Sequence, residues 1–138
     1  MSFGTGQIWM NGSLVDWADA NIHIGAHVVH YGSGVFEGIK CYNTEYGPAI
    51  FRLDDHIKRL LESADIYKME VPFTSDVLKQ GCMDIVTKNG YLDCYIRPLV
   101  FYGHDTLGVH PNECPVQVAI AGFYWGAYLG DDGIVNGV

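Results

Sequence analysis

Two helical stretches in the middle of the chain, about Leu53–Tyr67 and about Ser75–Lys88, are bracketed on both sides by strand signals. That order limits the fold more than any other feature. On the N-terminal side, Gln7–Met10 and Leu14–Trp17 flank Asn11-Gly12, whose readiness for positive φ makes it the strongest short hairpin signal in the chain. Val35–Tyr42 reads as a strand, and Ala49–Phe51 as its neighbour after a turn containing Gly47-Pro48. On the far side, Tyr95–Tyr102 and Val116–Tyr124 are strongly β-favouring runs separated by a loop rich in Gly, His and Pro. The second helix starts after Thr74 or Ser75 as N-cap and stops at Asn89-Gly90. Strands grouped around a helical pair predict an α+β fold, a mostly antiparallel sheet with two helices packed on one face.

Charge narrows the function classes. The chain has 138 residues, 16 acidic and 8 basic, for a net charge of −8. That argues against nucleic acid, whose phosphates attract clustered Lys and Arg, and against an anionic membrane surface. No signal-peptide pattern opens the chain, and no apolar run reaches the roughly 18 residues of a transmembrane helix. Cys41, Cys82, Cys94 and Cys114 lack Cys-x-x-Cys spacing, and three lie in apolar runs. They read as buried free thiols of a reducing compartment, so a cytoplasmic location is expected.

Four places could hold chemistry. On a helical wheel, Leu53, Ile57, Leu60, Leu61, Ala64 and Tyr67 form an apolar stripe with Arg52, His56, Arg59 and Ser63 along one edge. A guanidinium at the margin of a buried face can reach an anion in a cleft, although an ordinary Asp55–Arg59 helix pair would use the same residues. In Tyr95-Ile96-Arg97-Pro98-Leu99, alternation puts Tyr95 and Arg97 opposite the apolar Cys94, Ile96 and Val100. Arg97 must then meet water, a ligand or a neighbouring acid. Pro98 lacks an N–H and suggests an edge or a bulged strand end.

The third place is the glycine-rich run Tyr31-Gly32-Ser33-Gly34-Val35-Phe36-Glu37-Gly38-Ile39. It is not a dinucleotide fingerprint, because Glu37 stands where the third glycine should fall and no helix follows. Gly38 shares a strand face with Phe36, so the missing side chain leaves room for a ligand beside an aromatic wall, or merely serves a bulge. The fourth place is His23, His27 and His30. Nearby glycines break any long helix and no carboxylate completes a set, so no metal site is expected.

In combination these residues resemble the branched-chain amino acid aminotransferases, pyridoxal-phosphate enzymes of fold type IV. The resemblance is carried by Tyr31–Tyr42, Arg52-Leu53, His56-x-x-Arg59-Leu60 with Ser63-Ala64, Tyr95–Leu99 and Trp125–Gly130, in order from about Ile8 to Gly130. It implies that residues 1–130 form the small amino-terminal domain and that 131–138 begin an interdomain linker. The lysine that carries the cofactor would lie beyond Val138, in a carboxy-terminal domain.

The same resemblance implies that Arg59 binds the cofactor phosphate. Phe36, Gly38, Trp125 and Tyr128 would form the wall for a branched side chain, and Tyr95 and Arg97 the side that receives carboxylates. Tyr31 and Gly108-Val109 would reach a neighbouring subunit's pocket, in a homodimer or higher homo-oligomer. The implied substrates are leucine, isoleucine or valine as amino donor and 2-oxoglutarate as acceptor, returned as glutamate. No catalytic residue would then lie in this chain, and Lys40, Lys58, Lys68, Lys79 and Lys88 would not take that role. Two alternatives stay open from the sequence: a fold type IV relative acting on D-amino acids or aminodeoxychorismate, and a non-catalytic interaction domain. The segment after Trp125, with no cap for a helix and no closing strand, reads as an abrupt end.

Overall fold

The computed structural model describes residues 4–126 and 130–137. The hairpin β1 (Gln7–Met10) to β2 (Ser13–Asp16) closes through Asn11 and Gly12, both at positive φ (48° and 94°). Trp17 does not extend the second strand but opens a single 3-10 turn, Trp17–Asp19. A five-residue helix α1 (His27–Tyr31) ends at Gly32, whose φ of 64° provides the left-handed stop. Then come β3 (Gly34–Phe36), β4 (Ile39–Thr44), β5 (Gly47–Ile50), α2 (Leu53–Ile66), α3 (Ser75–Lys88), β6 (Cys94–Tyr102), β7 (Val116–Phe123) and α4 (Gly130–Asn136).

The strands form one antiparallel sheet in the order β2-β1-β7-β6-β4-β5, with β3 also beside β6. The single strand expected over Val35–Tyr42 is therefore interrupted. Its register is nevertheless continuous, since Phe36 faces Leu99 and Ile39 faces Ile96. The interruption lies opposite Pro98. The Glu37 N–H donates to the Pro98 carbonyl at 3.0 Å, but proline has no N–H to return the bond. Pro98 thus occupies a central strand, not the edge or strand end that its chemistry suggested, and its cost falls on the facing ladder. Pro48, by contrast, does sit on an edge strand, β5, and Gly47 and Pro48 belong to that strand, not to the turn before it.

Helices α2 and α3 pack on one face of the sheet. Ile57, Leu60, Leu78 and Ile85 meet Ile39, Ile96, Val118 and Ile120, all fully buried. Thr74 caps α3, its Oγ1 accepting from the Val77 N–H at 3.4 Å. Close packing on this face needs Gly81, where a Cβ would come within 2.8 Å of Ile120 and 3.2 Å of Trp9. All four cysteines are buried and free, and Cys41 and Cys94 face each other across β4 and β6. Burial pushes the thiols of Cys82 and Cys94 up to about 12, which leaves them protonated and inert.

The segment that reads as an uncapped linker contains the helix α4. Its stop is Gly137, at φ 77°, whose N–H donates to the Gly133 carbonyl at 3.2 Å. Within it Asn136 Nδ2 donates to Asp132 Oδ1 at 2.7 Å, an i,i+4 side-chain bond. Among the described residues, no helix is long and apolar enough to cross a membrane.

Candidate active-site cleft

The sheet face opposite α2 and α3 carries the cleft. Alternation along β6 turns Tyr95 and Arg97 to this side, while β3 and β4 turn Phe36, Gly38 and Lys40 the same way. Phe36, Lys40, Tyr95, Arg97, Trp125 and Gly126 enclose a space of about 480 Å³. Its floor is aromatic. The Tyr95 ring stands edge-on to Trp125 at 4.9 Å and lies 5.4 Å from Phe123, which is 5.4 Å from Trp125 in turn.

Arg97 is the cation of this cleft. Its Nε and Nη2 donate to the Tyr95 hydroxyl at 3.1 and 2.9 Å, and its Cζ lies 4.3 Å from the Phe36 ring centroid. The sequence left a salt bridge with a neighbouring acid open. Among the described residues, no carboxylate pairs with Arg97. Its charge rests against ring faces and a phenol oxygen, with guanidinium N–H groups left for an anion. Lys40, the other cation of the lining, is already paired, its Nζ lying 2.5 Å from Asp93 Oδ1. Its stem therefore contributes apolar surface while its charge is held outside.

Gly38 serves a close approach. A Cβ there would run into the Tyr95 hydroxyl and stand 3.0 Å from Tyr95 Cζ. The room left by the missing side chain is thus filled by the tyrosine that Arg97 holds. Tyr128 lies outside the described residues.

Arg59 lies on the helix side of the sheet and does not line the cleft. Its partner is Glu37, not Asp55, which pairs with Arg52 at 2.8 Å instead. Nε and Nη2 of Arg59 donate to the two Glu37 oxygens at 2.5 and 2.7 Å, and His56 Nδ1 lies 2.9 Å from Oε2. Burial pushes the Glu37 carboxyl up, but hydrogen bonds from Arg59 and His56 and the Arg59 charge outweigh it, leaving the group below its ordinary value. Arg59 stays 65% exposed, so part of its guanidinium is open to an anion such as a phosphate.

Tyr31, Gly108 and Val109 form a separate group. The buried His27 lies 2.7 Å from Ser33 Oγ by its Nδ1, and 3.2 Å from both the Gly108 and Val109 carbonyls by its Nε2. Tyr31 donates its hydroxyl to the Leu107 carbonyl at 2.8 Å. Helix α1 thus ties down the loop between β6 and β7, and Val109 stands 80% exposed at its tip. His23 stacks on His104 at 4.2 Å, and among the described residues no cluster of His, Cys, Asp or Glu could hold a metal ion.

Sequence reasoning missed Glu37, Phe123 and His27. The first two carried a signal: alternation puts Glu37 on the core face, where an acid demands a partner, and Phe123 on the cleft face of β7. His27 was weighed only as a metal ligand, and its tie to the Gly108 and Val109 carbonyls, 81 and 82 residues away, left no signal in the sequence.

Residues 34–136 match the family model for class IV aminotransferases. The chain belongs to this family. It is 46% identical over 132 residues to a branched-chain-amino-acid aminotransferase of Salmonella typhimurium, covering 95% of this chain and 43% of that protein. The crystal structure of the Escherichia coli branched-chain amino acid aminotransferase superposes with a TM-score of 0.90 at 45% identity, covering 94% of this chain and 43% of that one. The T.th. branched-chain amino acid aminotransferase with pyridoxamine 5'-phosphate gives 0.88 at 45% identity, covering 95% and 43%. That same enzyme has been solved with N-(5'-phosphopyridoxyl)-L-glutamate and with 4-methylvaleric acid. The chain spans less than half the length of these relatives, and the antiparallel α+β architecture is that of the class IV structures.

Proposed function

We propose that the chain forms the substrate-pocket part of a cytoplasmic, pyridoxal-phosphate-dependent branched-chain amino acid aminotransferase that works as a homodimer or higher oligomer. Residues 1–130 would make its small domain and 131–138 would lead into the rest. The observation that carries the reading is the aromatic cleft around an arginine with no acid partner among the described residues. One pocket must hold a branched aliphatic side chain and, in the other half-reaction, the distal carboxylate of 2-oxoglutarate or glutamate. Phe36, Trp125 and the packed Tyr95–Gly38 pair offer apolar surface to the first, and by the family resemblance Tyr128 would join them. Arg97, steadied by the Tyr95 hydroxyl, offers charge-assisted hydrogen bonds to the second. Asp93 keeps a second cation, Lys40, from making the apolar state costly.

When bound, pyridoxal phosphate supplies the electron sink for moving an amino group. This chain fits one part of it, since the exposed edge of Arg59 suits a phosphate. Tyr31, Gly108 and Val109, fixed by His27, would extend to the neighbouring subunit's pocket.

The test is a substrate panel on the full-length polypeptide that carries this chain. Leucine, isoleucine and valine with 2-oxoglutarate should turn over, and D-alanine and aminodeoxychorismate should not. A preference for D-alanine or aminodeoxychorismate would overturn the proposal.

A further inference from the structure

Glu37 is a charged, buried side chain in the break between β3 and β4, and the proposed reaction gives it no task. It is 5% exposed, with its backbone N–H fixed to the Pro98 carbonyl. Its carboxylate takes Arg59 side-on through Nε and Nη2, and takes His56 at Oε2. An ionised carboxylate only accepts, so the His56 Nδ1 must carry a proton. The hold is one-sided. It occupies the inner edge of the Arg59 guanidinium and leaves Nη1 and one Nη2 N–H facing outward, on a side chain 65% exposed. An exposed arginine ordinarily samples many rotamers. This one is held by a buried carboxylate through two hydrogen bonds.

We infer that Glu37, backed by His56, is a positioning residue that presents the outer edge of Arg59 to the cofactor phosphate. The inference rests on the reading of Arg59 as a phosphate ligand. Two parallel N–H groups on that edge match two oxygens of a phosphate, and a fixed guanidinium loses less freedom on binding than a mobile one. Placement adds to the case. Glu37 lies between Phe36 and Gly38, so the segment that holds Arg59 also carries part of the cleft wall.

The test follows each arginine Nε–H resonance as pyridoxamine 5'-phosphate is titrated into the full-length polypeptide that carries this chain. In the wild type the Arg59 signal should be sharp, protected from exchange and shifted saturably by the phosphate ester, and not by pyridoxamine. Glu37→Gln should lose the protection and bind about tenfold more weakly, and Glu37→Asp should recover part of the loss. No response at Arg59 in the wild type would overturn the phosphate-ligand reading and this inference with it. A wild-type response matched by equal affinity in Glu37→Gln would leave that reading standing and overturn the positioning role. Should Glu37→Gln fail to fold, His56→Ala decides: a weaker affinity supports the role, and an unchanged one overturns it.

Discussion

Glu37 and Arg59 make an unequal pair, because the acid is buried and the base is not. Removing the base leaves a buried carboxylate with His56 alone, whereas removing the acid leaves a guanidinium that water can solvate. Arg59→Ala should therefore lower the urea midpoint at neutral pH, and Glu37→Gln should lower it by less. The pair also sets a pH dependence. The Glu37 carboxyl lies below its ordinary 4.5 when folded, so its contribution is full above that value and is lost as pH falls through the lower folded one. The gap in urea midpoint between wild type and Glu37→Gln should hold at pH 6 and shrink below about pH 4.5. A gap that widened in acid would contradict this. The sequence placed Arg59 on the margin of an apolar stripe and offered Asp55 as one alternative partner. Spacing along a helix sees only neighbours on the same helix, and the true partner arrives from the break between β3 and β4, 22 residues earlier.

At the scale of elements, the helices and long strands were legible because period and caps agree along them. Ser75–Lys88 has its bounds as read, and α2 ends one residue early. What failed was the detail that depends on a facing strand. Pro98 suggested an edge, yet it sits in the centre of the sheet, where its missing N–H opens the ladder beside Glu37 and Gly38. Helix α4 was missed because Gly130–Asn136 carries two glycines and two aspartates, poor helix formers all. The close seat of α3 gives a direct prediction. Gly81→Val should push the helix off Ile120 and Trp9, costing about 1–3 kcal/mol in unfolding free energy despite valine's better helix propensity. An unchanged or raised urea midpoint would show that the contact can relax.

One sheet face carries α2 and α3, and the clefts on the other face include two, of about 480 and 430 Å³, that share Arg97. The second is lined by Ile8, Met10, Val28, Leu99, Phe101 and their neighbours, almost all apolar. A face of this kind favours association. The 138-residue chain alone should show a sedimentation coefficient that rises with concentration, and a constant monomer value would contradict that. By itself it should not transaminate leucine. The central claim concerns Arg97, and one measurement reaches it: kcat/KM of the full-length polypeptide and its Arg97→Leu variant, with 2-oxoglutarate and with 4-methyl-2-oxopentanoate. The account predicts a loss of about a hundredfold for 2-oxoglutarate and little change for the branched acid, because only the dicarboxylate needs the guanidinium in the pocket. An equal loss for both substrates, or none for either, would contradict it.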